Sequence, residues 1–229
     1  MSADAIRPAA TLILWRDPDA PRLLMGQRRR GAVFMPEKLV FPGGAVDAGD
    51  AHAPLVGTLS PLCRARLADA SDVAPETLAA TAIRETWEEA GLRVGRRADW
   101  TGPPSWAGFG AGGIAPDASG LRFVFRAVTP PGRPRRFDAR FFLADARTLA
   151  DGPDAVGAGD GELADVRWVP LAEVETLDLP FITRVVVAEI APLIGRDAPP
   201  ARVPFFRSDD GDSFFRWLDP QEAGAPAPQ

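Results

Sequence analysis

The stretch PETLAATAIRETWEEAGL, residues 75–92, constrains the fold of this chain more than any other. It reads as one helix: Pro75 suits a first turn, Asp72 offers a cap, and Gly91 marks a stop. At about 100° per residue, Glu88 and Glu89 fall about 60° and 40° to either side of Glu85. The three carboxylates therefore share one stripe, while Ala79, Ile83, Trp87 and Ala90 gather opposite. Such a helix lays one side on a core and concentrates negative charge on the other. Like charges at this spacing repel. Carboxylates at i, i+3 and i+4 can instead converge on a hard divalent cation, which removes the repulsion. Arg84 sits on the same rim as Glu88 and can orient a carboxylate. The competing reading is an exposed acidic face without chemistry, and the surrounding chain decides between the two.

That chain alternates strand and helix. Residues 11–15, 22–28, 38–44, 121–128, 135–144 and 162–170 read as strands. Residues 181–194 read as a second good helix, and 54–70 as helical but interrupted by Gly57 and Pro61. Residues 101–120 hold Gly, Pro, Ala and Ser with little pattern and read as a loop. The GFGAGG run at 108–113 has no strand before it or helix after it, so a loop is favoured over a phosphate cradle. With 229 residues, 46% of them hydrophobic, the chain can bury a substantial core.

Several functions drop out on composition. The net charge of −5 provides no bulk basic field, so no nucleic-acid partner is expected. Cys63 and His52 are the only residues of their types, which excludes an intrachain disulfide and argues against structural zinc and a histidine-based triad. No run of 18 apolar residues exists, so no membrane span is expected, and the default location is cytoplasmic.

Upstream of the acidic helix lies FPGGAVDAGD, residues 41–50, a glycine turn with an acid six positions after Gly44. Taken with Arg84, Glu85, Glu88, Glu89, Gly91 and Leu92, it resembles the signature of the Nudix hydrolases, G-x5-E-x7-R-E-U-x-E-E-x-G-U, where U is aliphatic. Three departures stand out. Asp50 replaces Glu, Thr86 replaces an aliphatic residue, and 33 residues separate Asp50 from Arg84 where the pattern has seven, an excess of 26 (33 − 7). The insertion resembles the branch that contains peroxisomal coenzyme A diphosphatases and their bacterial relatives. The likeness runs in order from about Thr11 to Val174.

This resemblance implies an α/β fold: a Nudix-type α/β/α sandwich around a mixed β-sheet, with a helical insertion before the catalytic helix. Residues 1–219 are expected to form a single domain, 51–74 a surface insertion over one end of the site, and 220–229 a disordered tail. Leu55, Leu59, Leu62 and Leu67 would supply the apolar side of the insertion. The implied chemistry is hydrolysis of a nucleoside diphosphate linked to another group, with Mg2+ or Mn2+ as cofactor. Glu85, Glu88, Glu89 and the Gly43 carbonyl are the implied metal ligands; Glu85, Glu89 and Arg84 carry catalysis; and Glu162 and Asp50 are candidate extra acids. Arg28, Gly44, Arg135, Arg136 and Asp138 are candidates for substrate binding. Strand alternation puts Arg136, Asp138 and Arg140 on one face, opposite Phe137, and that charged face is taken as the substrate side. Coenzyme A or an acyl derivative is the best single substrate. An ADP-ribose, dinucleotide or nucleoside-triphosphate pyrophosphatase is a second enzyme reading, and a non-catalytic nucleotide-binding module is a reading of another class. The partner is a small-molecule nucleotide, and a homodimer is allowed.

Overall fold

The structure, a computed structural model, describes residues 5–31, 35–157, 159–209 and 212–218. In chain order its strands are β1 (Ile6–Arg16), β2 (Arg22–Arg28), β3 (Leu39–Val40), β4 (Gly43–Ala45), β5 (Gly95–Arg97), β6 (Ile114–Pro116), β7 (Arg122–Val128), β8 (Arg136–Asp145), β9 (Leu163–Pro170), β10 (Val203–Asp209) and β11 (Asp212–Leu218). The α-helices are α1 (Pro61–Ala68), α2 (Pro75–Ala90), α3 (Leu171–Val174) and α4 (Phe181–Ile190).

Strand β1 organises the sheet. Its run of apolar residues is buried on both faces, as a central strand requires. It pairs in parallel with β8 from Ile6↔Arg136 to Trp15↔Asp145. Its other edge is shared: the first half pairs with β4 and the end pairs with β2, both antiparallel. The order β11-β10-β7-β8-β1-β2-β3 follows, with β9 on β2, while β5 and β6 form a separate pair. The sheet is mixed, since β10 also runs parallel to β7.

Alternate β1 side chains feed two cores. Leu12 and Leu14 pack with Leu78, Ala79, Ala82 and Ile83 of α2, while Ile13 and Trp15 pack with Val186, Val187 and Ile190 of α4. A helix on each face makes the three layers expected from the sequence. Gly91 ends α2 in the left-handed region at φ 70° and donates its N–H to the Trp87 carbonyl, 2.8 Å away. The residue before α2 is Ala74 with no side-chain cap, so Asp72 does not cap it; Pro75 at the first position needs no partner for an N–H it lacks.

Two regions add detail to the sequence reading. Residues 51–74 turn an apolar side to the core. Ser60 and Pro61 start α1, with the Ser60 hydroxyl accepting the Cys63 N–H, and Leu59, Cys63 and Leu67 are buried in the core beside α2. Pro61 begins this helix rather than interrupting it. Residues 101–120 are more than a loop: Trp106 and Phe109 are fully buried, Phe109 meets Trp87 edge-on, and both pack at a tilt against Trp100. Strands β10 and β11 had no counterpart in the sequence reading. The expected disordered tail, 220–229, lies outside the described residues. Among the described residues no helix is long and apolar enough to cross a membrane.

Candidate active site

The turn between β3 and β4 brings Gly43 and Gly44 against the acidic side of α2. The Gly43 N–H donates to Glu89 Oε2 at 2.8 Å. A Cβ on Gly44 would lie 2.5 Å from Glu85 Oε1, so glycine here leaves room for the Glu85 carboxylate where it stands.

Arg84 is the hub beneath the carboxylates. Its Nε donates to Asp50 Oδ1 at 2.7 Å and its Nη2 to Asp50 Oδ2 at 3.1 Å. Nη1 donates to Glu88 Oε2 at 2.6 Å, and Nη2 also reaches the Ala45 carbonyl and Glu85 Oε1. Asp50 is fully buried, and its Oδ2 also accepts the Thr81 hydroxyl and the Asp47 N–H. Both its oxygens are thus committed, and Asp50, expected as a candidate extra acid, stands here as the residue that holds Arg84. The long insertion leaves this pairing intact. Thr86 is also accommodated, because its buried hydroxyl donates to the Ala82 carbonyl one turn back.

The cluster has more negative charge than it can satisfy. Burial, then the neighbouring Glu88 and Glu162, push Glu85 up to about 7 despite the opposing pull of Arg84. Glu89 is raised well above the ordinary carboxylate range, first by burial and then by Glu85. Its Oε1 is buried with no hydrogen-bond partner. Arg84 is shifted the other way in effect: although burial weakens it, Asp50, Glu85 and Glu88 hold its proton more firmly than in water. The three helix carboxylates do not stand ready-converged, as the sequence spacing suggested; among the described residues no three acidic, His or Cys side chains are gathered to hold a metal ion. Arg84 draws Glu85 and Glu88 to itself instead. A divalent cation nonetheless fits the chemistry here, because an unpartnered buried carboxylate oxygen and carboxylates with raised proton affinity both call for a positive charge.

Glu162 stands where β9 begins, and its Oε1 accepts from Arg28 Nη2 at 2.5 Å. Both line a cleft of ≈ 970 Å³ together with Gly43, Gly44, Arg84 and Glu85. Away from the carboxylates the cleft runs along Phe141, Ala139 and Phe137 of β8 to Arg7, Arg133 and Arg135. Alternation along β8 is as read from the sequence, and the cleft lies along the Phe137 face rather than the charged one. Asp138 is held by the Arg126 guanidinium through both oxygens, 2.9 and 2.7 Å, and also meets Arg140. Arg136 is buried with its Nε on the Thr129 carbonyl. Neither Arg136 nor Asp138 lines the cleft, whereas Arg135 does. The reason is energetic: the charged face is closed by mutual pairing, and the apolar face is left to line the cleft. Arg7 and Arg133 were missed. Arg133 sits in the basic turn PPGRPRR and was open to inference, but Arg7 reaches the cleft only through the parallel pairing of β1 with β8. None of Arg7, Arg133 and Arg135 has a carboxylate partner among the described residues.

Comparison with known proteins agrees with this geometry. The family model described as NUDIX domain matches residues 73–190. A Caenorhabditis elegans protein named "Putative nudix hydrolase 7" is 28% identical over 178 residues, 71% of this chain and 51% of that protein. The chain thus spans about half the length of that curated relative. The crystal structure of a NUDIX hydrolase from Alicyclobacillus acidocaldarius superposes with a TM-score of 0.59 at 28% identity, covering 84% of this chain and 93% of the other. The NUDIX domain of Shewanella oneidensis NrtR, solved with ADP ribose, shares the fold at TM-score 0.50 and 14% identity, covering 83% and 89%.

Proposed function

The chain belongs to the Nudix hydrolase family, and on that premise we propose that it hydrolyses the pyrophosphate of a nucleoside diphosphate linked to a second group, with coenzyme A or an acyl derivative as substrate. One observation carries the catalytic part. Asp50, Glu85 and Glu88 surround a single guanidinium, and beside them Glu89 accepts the Gly43 N–H through Oε2 while its Oε1 is buried without a partner. Nudix hydrolases generally use divalent metal ions. Mg2+ or Mn2+ would be held by Glu85, Glu88, Glu89 and the Gly43 carbonyl, and would neutralise phosphate oxygens and favour ionisation of water.

The chain's own residues supply the rest. Asp50 fixes Arg84, and Arg84 fixes the Glu85 and Glu88 side chains. Glu162, within electrostatic reach of Glu85 and Glu89, is suited to take a proton from an attacking water. Arg28 holds Glu162 and faces the same cleft, where it can also meet a phosphate oxygen. Attack of water on one phosphorus of coenzyme A gives 3′,5′-ADP and 4′-phosphopantetheine. The choice of coenzyme A rests on the far end of the cleft. Its unpaired arginines Arg7, Arg133 and Arg135 suit a second anionic group, and the apolar wall of Phe137, Ala139 and Phe141 suits an uncharged arm.

The deciding experiment is a panel of coenzyme A, acyl-coenzyme A, dephospho-coenzyme A, ADP-ribose, dinucleotides and nucleoside triphosphates, with products identified. Coenzyme A should exceed dephospho-coenzyme A in kcat/KM by roughly 1.5–3 kcal/mol, the worth of a charged hydrogen bond. Arg135→Ala should erase most of that difference. Equal rates for the two would remove the second anion site. Faster cleavage of ADP-ribose, the compound held by the similarly folded NrtR domain, would move the assignment to that substrate.

A further inference from the structure

Helix α2 ends beside the carboxylates, so its last carbonyls need partners. The loop 156–161, sequence VGAGDG, supplies them. The Gly157 N–H donates to the Ala90 carbonyl at 3.0 Å, and the Asp160 N–H to the Glu88 carbonyl at 2.6 Å. Between them Gly159 lies flat against the helix end, where a Cβ would come within 2.2 Å of the Glu89 carbonyl oxygen. The same loop then turns back on itself: the Asp160 side chain accepts the Glu162 N–H through Oδ1 at 2.8 Å. Glu162 in turn receives Arg28. One short segment therefore touches the backbone of Glu88 and Glu89 at one end and sets the backbone of Glu162 at the other.

We propose that Gly159 and Asp160 are positioning residues that fix the gap between Glu162 and the carboxylates of α2. This rests on the Nudix reading of the site. Without Oδ1 of Asp160, the backbone at Glu162 loses its local anchor while the Asp160 main chain still caps α2. The helix and its carboxylates then stay in place and only Glu162 drifts. Asp160 thus acts through Glu162 alone, whereas Gly159 acts on the helix end itself.

The test uses the full chain with Mg2+ and whichever panel compound it cleaves fastest. Asp160→Ala should lower kcat about tenfold, the scale of losing a supporting hydrogen bond around a metal site, with KM little changed. Asp160→Asn, which keeps an acceptor oxygen, should restore turnover. In a Glu162→Gln background, Asp160→Ala should cost nothing more, since the effect passes through Glu162. Mg2+ affinity of the free protein, measured by calorimetry, should be unchanged by Asp160→Ala and weakened by Gly159→Ala. Additive losses in the double variant, no rescue by Asn, or wild-type kcat in Asp160→Ala would each overturn the proposal. So would a fall in Mg2+ affinity in Asp160→Ala that matches the fall in kcat. A wild-type chain inactive on every compound would instead refute the hydrolase reading and take this inference with it.

Discussion

Two buried arginine–carboxylate clusters lie on the same side of the sheet and behave in opposite ways. Around Arg84 the acids Asp50, Glu85 and Glu88 outnumber the base, and Glu89 adds a further carboxylate next to Glu85. Around Asp138 the bases Arg126 and Arg140 outnumber the acid. The surplus positive charge is absorbed locally: Arg126 also donates to the Asp69 and Ala70 carbonyls and lies 4.5 Å from the centre of the Phe205 ring, and Arg140 donates to the Asp138 carbonyl. Each cluster leaves one buried atom without a hydrogen-bond partner, Arg140 Nε in the basic one and Glu89 Oε1 in the acidic one; what differs is that Arg84 and Glu85 of the acidic cluster line the cleft. The cluster buried away from the cleft is a structural joint, and the one that opens on the cleft is the candidate site.

The largest effect should come from unbalancing the acidic cluster. Glu89→Gln is expected to lower turnover by roughly 10²–10³-fold or more, the scale of losing one electrostatic stabiliser. Thermal unfolding should show no loss of stability, because a carboxylate that resists ionisation has been replaced by a neutral isostere. Undiminished turnover at saturating Mg2+ would remove Glu89 from the site. The basic cluster should respond the other way round. Arg126→Met should cost roughly 3–5 kcal/mol in urea unfolding, as breaking a buried pair does, while turnover per folded molecule stays at the wild-type level.

Titration separates the clusters again. Glu85 holds its proton to about 7 when folded, against an ordinary value of 4.5. Between those values the unfolded chain has released a proton that the folded chain keeps, so raising the pH favours unfolding. Metal-free stability should therefore be highest below about pH 4.5 as far as Glu85 is concerned, and fall by roughly 3 kcal/mol as pH passes 7. Saturating Mg2+ should flatten the decline in chemical denaturation. Burial lowers Arg140 only to about 10, so Arg140 keeps its charge throughout that window. The smallest effect belongs to an exposed pair: Arg64→Ala, which breaks the 2.6 Å contact to Glu76, should cost no more than about 1 kcal/mol.

How much of this was legible beforehand follows the range of the interactions. The acidic stripe, Gly91 as stop and the glycine turn at Gly43 and Gly44 are local patterns, and each can be read from a short stretch. Alternation in β8 is local too, but it says only that two faces exist. Which one lines the cleft depended on Arg126 reaching Asp138 from the neighbouring strand, which no spacing within RRFDARFF reveals. The interruptions at Gly57 and Pro61 hid a helix that Ser60 and Pro61 in fact begin. Trp106 and Phe109 lay in a stretch whose glycines and prolines masked two core residues. Strand β10 is recruited by parallel pairing to β7, far away in sequence.

Cys63, packed in the core beside α2, has one further consequence. It is the chain's only thiol, it is buried, and burial pushes its pKa up to about 11. Since the thiolate is the form that reacts, the folded protein should behave toward maleimides at neutral pH as though it contained no cysteine. A single cysteine placed on the exposed side of α1, for example Ala68→Cys, would then be the sole attachment point for a fluorophore or spin label, with no need to remove the native one.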